Sequence, residues 1–297
     1  MTTHHSDERR TFKLTIAYDG TRFAGWQFQP NHPTVQGEIE TALLRITGQQ
    51  ERVLASSRTD AGVHAFAQVV SVRVKTTMSA ESLGRAIEAV LPEDVAVVAI
   101  IEKPTSFHPI RDTISKRYRY IIDDGPARDV FLRTHAWRFK YRQLDVEAMA
   151  ESARPLIGRH DFAAFETSGA PRQSTVRTVT DLLVCRATID PLTPRPLRRP
   201  GPVLTETTDS PDSARPGPGL RTPAGGANAS GRIIIEIQAD GFLYNMARNI
   251  VGSLVEVGRG KKDVAWITEI LATGDRRLAG PTAPAHGLHL LYVEYPP

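Results

Sequence analysis

Cysteine is almost absent from this 297-residue sequence: the single Cys185 sits in the apolar stretch DLLVCRATI. One thiol excludes an internal disulfide framework and any zinc site built from several cysteines, and it suits a reducing compartment. Long hydrophobic runs are missing too. No stretch of about 18 apolar residues offers a membrane span, and MTTHHSDERR lacks the apolar core of a secretion signal. The expectation is a cytoplasmic protein with no membrane segment. Charge of one sign is barely in excess, since 37 Lys and Arg against 33 Asp and Glu leave +4. A polyanionic partner is allowed by that balance, not required, unless the arginines cluster. The glycine loops that cradle phosphates, GxGxxG and GxxxxGK[ST], do not occur, and GRGKK at 258–262 ends a helical pattern where a phosphate loop would open one. His64, His108, His160, His286 and His289 are scattered without an HExxH pairing, so no metal site is expected.

What the chain does carry is regular patterning. Phe12, Leu14, Ile16 and Tyr18 alternate with polar residues, the two-residue period of a half-buried strand. After the turn at Asp19-Gly20, Thr34 is placed to cap a helix through Val35, Ile39, Leu43 and Ile46. A short apolar run follows at 53–55, a strand at 66–75, a helix opened by Ser79 and a strand at 95–101. The order β-α-β-β-α-β is that of a split ferredoxin-like unit. The second half repeats it loosely, with strands at 118–122, 176–189, 233–237 and 288–295, helices at 144–157 and 242–257, and an additional helix near 264–271. The predicted fold class is α+β: two ferredoxin-like units, residues 11–106 and 107–297, with antiparallel sheets side by side and a central cleft, behind a flexible N-terminus at 1–10. Residues 190–230, rich in Pro, Thr, Ser, Gly and Arg, lack the apolar side chains that offset ordering entropy, so a disordered insertion is expected. The other reading is a basic arm touching phosphates through Arg195, Arg198 and Arg199.

Three segments concentrate chemistry. SSRTDAGVH at 56–64 is compact and polar between two apolar strands, with Gly62 free to turn. Taken alone it is either a loop with a surface Arg58–Asp60 ion pair or a reactive carboxylate site. SKRYRY at 115–120 puts Tyr118 and Tyr120 on one face of a strand and Arg117 and Arg119 on the other. That pattern suits a stacked single-stranded base with its phosphates, or else buried tyrosines with solvated arginines opposite. In the 242–257 helix, Met246, Ile250, Leu254 and Val257 mark the core face, leaving Arg248 outward near the positive helix N-terminus.

Taken in order, YDGTRFAGWQFQP, TVQGEIE, RTDAGVHA, the pair Phe107-His108, KRYRY, GRHDFAAF and ADGFLYNMARNIVG resemble the motifs of the TruA family of tRNA pseudouridine synthases. The resemblance runs from about residue 11 to the C-terminus outside the insertion. It implies an isomerase that converts uridine to pseudouridine at positions 38, 39 and 40 of the tRNA anticodon stem-loop, needing no redox cofactor, metal or ATP. It implies Asp60 as the essential aspartate, Arg58 as the group that helps displace the target base, Tyr118 as the ring stacked on uracil and Arg248 as the cation paired with Asp60. Lys116, Arg117, Arg22, His64 and Leu288 join Tyr118, Arg58 and Arg248 as implied RNA contacts. A homodimer with one tRNA spanning both subunits is implied too. Departures from the family pattern are Ser57, often Gly; Asn245 and Ala247, often His and Val; and Pro109-Ile110-Arg111 after the FH pair. Two rivals stand beside this reading: an RNA-binding protein without catalysis, which has no use for Asp60 between two arginines, and a hydrolase using Asp60 and His64, which lacks a leaving-group site.

Overall fold

The computed structural model describes residues 8–140, 143–167, 174–187, 192, 194 and 231–296. Residues 1–7 and, apart from 192 and 194, the segment 190–230 with Arg195, Arg198 and Arg199 lie outside the described residues.

The first half runs β1 (Arg10–Tyr18), α1 (Val35–Thr47), β2 (Leu54–Ala55), β3 (His64–Val74), α2 (Ala80–Glu88) and β4 (Val95–Lys103). The second runs β5 (Ser115–Asp123), β6 (Trp137–Arg138), α3 (Val146–Ala153), β7 (Gly158–Asp161), β8 (Val176–Ala187), β9 (Arg232–Ala239), α4 (Met246–Gly258), α5 (Trp266–Thr273) and β10 (Leu288–Glu294). Local chemistry explains many boundaries. Thr34 accepts the Gly37 N–H and Ser79 accepts the Ser82 N–H, so each hydroxyl satisfies a first-turn donor and contributes about 1 kcal/mol. Gly48, left-handed at φ 68°, closes α1. The helix expected at 242–257 begins only at Met246.

Ten strands form one sheet in the order β4-β1-β3-β10-β5-β9-β8-β7, with β2 on β3 and β6 on β5. The two sheets expected side by side are thus joined, and the joint is the last strand. β10 pairs antiparallel with β5 and parallel with β3, aligning His289 with His64 and Leu290 with Ala65. Strand edges present unpaired N–H and C=O groups, and β10 satisfies one edge of each half at once. Alternate strand residues and all five helices share the main core, which includes Leu14, Ile39, Leu83, Tyr120, Met149, Ile235, Leu254 and Ile267. α4 is buried on nearly every side, so its register against the sheet is set by packing over its whole circumference.

The other face of β5 overturns an expectation. Arg117 and Arg119 are not solvated; they are 4% and 1% exposed. Glu236 on β9 lies opposite Arg119 in register and is fully buried. Its Oε2 accepts from Arg117 Nε at 2.7 Å and its Oε1 from Arg119 Nη2 at 2.6 Å, while Arg117 Nη1 donates to Asp181 on β8 at 2.8 Å. Buried charges persist only when paired and hydrogen-bonded, and three adjacent strands supply the partners here.

Candidate active site

Asp60 sits on a loop whose backbone is tied down on every side. Gln68, fully buried on β3, donates its side-chain amide to Ser57 O at 2.8 Å and accepts the Ser56 hydroxyl at 2.7 Å. The Thr59 hydroxyl meets the Tyr18 phenol at 2.8 Å, and the Thr59 carbonyl accepts Trp26 N–H at 3.0 Å. Lys116 Nζ donates to Ser56 O at 2.5 Å. Two glycines make this fold of the chain feasible. Gly25 has φ +100°, and a Cβ there would meet Thr59 O at 2.8 Å; Gly62 turns the loop at φ +79°. The spacing of glycines in YDGTRFAGWQ and RTDAG thus follows from two segments in backbone contact.

Opposite this loop stands the start of α4. Arg248 Nη1 donates to Asp60 Oδ2 at 2.8 Å, joining positions 188 residues apart in the chain. Its Nε donates to Ala283 O at 2.8 Å, and Ala283 N–H returns a bond to Arg248 O at 3.1 Å. The side chains of Asp60 and Arg248 are 27% and 17% exposed, so the pair is reachable from solvent yet shielded by its surroundings. Asp60 Oδ1 makes no hydrogen bond among the described residues. Of the two readings of the loop taken alone, the surface Arg58–Asp60 pair does not form: Arg58 is exposed and unpaired among the described residues, and the cation on Asp60 is Arg248. Arg248 accordingly turns into the cavity, partly buried, and not outward into solvent as its helical position suggests.

Tyr118 forms the next wall. Its ring meets Phe242 edge-on with centroids 4.8 Å apart, and its hydroxyl shares a 2.8 Å hydrogen bond with Ser57 Oγ. Burial pushes the Tyr118 phenol up to about 12, with Ser57 opposing and the Asp60 charge adding to the shift. Asp60, Arg58, Tyr118, Arg248, Lys116 and Leu288 line one cavity of about 770 Å³, within the range of small-ligand sites.

Three residues named from the sequence do not line it. Arg22 forms an exposed ion pair with Asp94 at 2.9 Å. Arg117 belongs to the buried cluster on the opposite face of β5. His64 and His289 are buried and lie against the half-buried His135; one ring nitrogen from each lies within 4.8 Å of the others, so His64 and His289, scattered in the sequence, meet in the fold. The His64 and His289 rings stack at 18° with centroids 4.7 Å apart, which directs their in-plane lone pairs alongside each other and not to one point. His64 Nε2 donates to Thr134 O at 2.8 Å and its Nδ1 accepts Gly20 N–H at 3.1 Å; His289 Nε2 donates to His135 O at 2.9 Å. Burial pushes His64 down to about 4 and His289 well below its ordinary value. Neutral and hydrogen-bonded, the two rings act as packing that ties β10 to β3.

Sequence reasoning misses Gln68 and Phe242. A lone amide inside an otherwise apolar strand is the available signal for Gln68, since a buried amide needs partners.

The geometry can be set beside known proteins. A family model described as tRNA pseudouridine synthase matches residues 14–110 and 152–296. The chain is similar to tRNA pseudouridine synthase A of Thermoanaerobacter sp. (strain X514), 36% identical over 286 residues covering 96% of this chain and all of the relative. It is 38% identical over 285 residues to the enzyme of the same name from Moorella thermoacetica, covering 95% and 98%. With that of Chloroflexus aurantiacus the identity is 39% over 289 residues, covering 97% and 90%. Both segments of the family match enter the cavity, one carrying Asp60 and the other Arg248, and the chain belongs to the tRNA pseudouridine synthase family, an isomerase that converts uridine to pseudouridine in tRNA.

Proposed function

We propose that this cavity acts on uridines 38, 39 and 40 of the tRNA anticodon stem-loop, with Asp60 as the catalytic carboxylate. One observation carries the choice of Asp60: it stands in the cavity beside a buried tyrosine, with Oδ2 anchored by Arg248 and Oδ1 unspent. The reaction is an isomerisation, so its atoms balance within the substrate. The N1–C1′ bond breaks, uracil turns, C5 bonds to C1′, and the C5 proton is lost while N1 gains one. Oδ1 of Asp60 is open to serve at the sugar, as nucleophile or as base. Arg248 holds the carboxylate in place, which limits the reorganisation needed when the sugar reacts.

The target base must leave its stack, at a cost of a few kcal/mol. Arg58, exposed at the rim and unpaired among the described residues, is placed to occupy the vacated space. Tyr118 and Leu288 supply apolar surface for the uracil, and Lys116 supplies positive charge near the sugar-phosphate backbone. We read the two halves of the sheet as ferredoxin-like units, 11–106 and 107–297, flanking this cleft, with a homodimer presenting two clefts to one tRNA in the cytoplasm. Among the described residues no helix is long and apolar enough to cross a membrane.

The test is pseudouridine mapping in a tRNA with uridines at 38, 39 and 40, incubated with purified protein in EDTA without added cofactor. Conversion at those positions alone supports the reading; conversion elsewhere in the tRNA, or a strict need for metal or nucleotide, contradicts it.

A further inference from the structure

Asn245 immediately precedes α4 and occupies the position where an Asn side chain ordinarily caps a helix by accepting an N–H of the first turn. It does not cap. Its backbone is left-handed, at φ 61° and ψ 7°, and its side chain makes no capping bond. The amide is spent on the cavity: Oδ1 accepts from Arg248 Nη1 at 2.8 Å, and Nδ2 donates to Thr167 Oγ1 at 3.2 Å. The same Thr167 hydroxyl accepts from the fully buried Asn249, whose amide also donates to Phe165 O at 2.7 Å. The two hydrogens of Arg248 Nη1 therefore go one to Asp60 and one to Asn245, while Nε goes to Ala283 O. Arginine is a long, rotamer-rich side chain; Ala283 O and Asp60 hold it at two points, and Asn245 adds a third contact that takes the remaining hydrogen of the nitrogen facing Asp60.

We infer that Asn245 is a positioning residue for catalysis: it gives up helix capping so that its amide, oriented by Thr167, fixes the guanidinium of Arg248 against Asp60. The geometry explains why each end of the amide faces as it does. Arg248 offers only donors, so it fixes the orientation that puts Oδ1 on the arginine, and the NH₂ group is left to donate to Thr167, which anchors the far end of the amide. The left-handed backbone, tolerated by Asn and Gly, aims the side chain across the helix entrance and not along it. A local rule broken beside reacting groups is where strain is put to use.

This inference rests on the proposed role of Asp60, and the experiment separates the two. Asn245→Gly keeps the left-handed backbone and deletes the amide. It is expected to lower kcat on the order of 10²-fold, the loss expected when a catalytic group is misaligned by about 1 Å, with KM for tRNA within about twofold of wild type. Asn245→Asp retains an acceptor for Arg248 Nη1 and is expected to recover most of that loss. A double-mutant cycle with Arg248→Lys is the decisive readout: if Asn245 acts through the guanidinium, Asn245→Gly costs little more once Arg248→Lys is already in place. Unchanged kcat in Asn245→Gly, or a full additional loss on top of Arg248→Lys, overturns the inference. Should Asn245→Gly fold poorly, Thr167→Val tests the same link from the far end of the amide, and normal kcat there also overturns it. Failure of the Asp60 reading shows up independently, as pseudouridine formation surviving Asp60→Asn.

Discussion

Asp60 and Glu236 are both held by arginine, and their surroundings assign them different work. Glu236 is fully buried, and both of its oxygens are consumed, by Arg117 and Arg119. Asp60 is partly exposed to a cavity and, among the described residues, meets one guanidinium and keeps one oxygen open. A carboxylate saturated by partners in a sealed strand face can only hold strands together; one held from a single side at the wall of a cavity can react. The KRYRY motif alone does not sort its side chains between these two tasks: Arg117, named as an RNA contact, serves Glu236, whereas Tyr118 and Lys116 on the same strand face the cavity.

The sharpest way to break this comparison is to neutralise each carboxylate. Asp60→Asn preserves shape and is expected to reduce turnover by at least about 10³-fold. Its melting temperature and tRNA affinity are expected to stay near wild type, as checked by single-turnover pseudouridine assays, calorimetry and filter binding. Glu236→Ala leaves two buried guanidinium groups without their common partner and is expected to cost roughly 3–5 kcal/mol of stability in urea unfolding. A Glu236→Gln protein that keeps its stability and loses turnover would erase the distinction.

The histidine stack at the β3–β10 joint gives a third test, because the buried His64 and His289 do not line the cavity. The folded His64 imidazole, at about 4, lies below the ordinary 6.5 of an unfolded chain, so protons bind the unfolded state more readily. Its stabilising contribution is complete above pH 6.5 and is lost as pH falls from there toward 4, by roughly 3 kcal/mol at the lower end. Urea unfolding at pH 7.5, 6, 5 and 4.5 measures that slope, and His64→Asn is expected to flatten it. An unchanged slope in the variant would mean that other groups carry the acid sensitivity.

The smallest effect expected is at Tyr118→Phe. The ring and its contact with Phe242 persist, and only the bond to Ser57 is lost, so turnover is expected within about tenfold of wild type if Tyr118 acts by stacking. A loss of 10²-fold or more with tRNA affinity retained would instead give the hydroxyl a part in proton transfer.

Much of the fold is legible along the chain, because the signals are local. A two-residue period marks β1, Thr34 and Ser79 announce their helices, and Gly62 marks a turn. The likeness of RTDAGVHA and its companion motifs to a known family singles out Asp60 and Arg248, while spacing alone leaves the loop ambiguous. Less legible are the partners of charged side chains. Whether Arg119 is solvated depends on which residue β9 sets opposite it, 117 positions away, and nothing in SKRYRY encodes that register. The start of α4 is hard to read for a related reason: Phe242 fits the apolar period, yet residues 242–245 form the approach to the helix, where Asn245 adopts a left-handed backbone and turns its side chain to Arg248.

The sequence by itself determined most of the longer strands and helices, the caps at Thr34 and Ser79, and which motifs place the chain beside a family, since periodicity and backbone sterics act over a few residues; the short β6 and β7 carry no such signal. Only the tertiary structure decided that the two halves share one sheet through β10, that His64, His135 and His289 meet, that Glu236 is sealed, and that Asp60 keeps an oxygen open beside Arg248. Those outcomes depend on strand register and on burial, which are properties of surfaces brought together from distant parts of the chain.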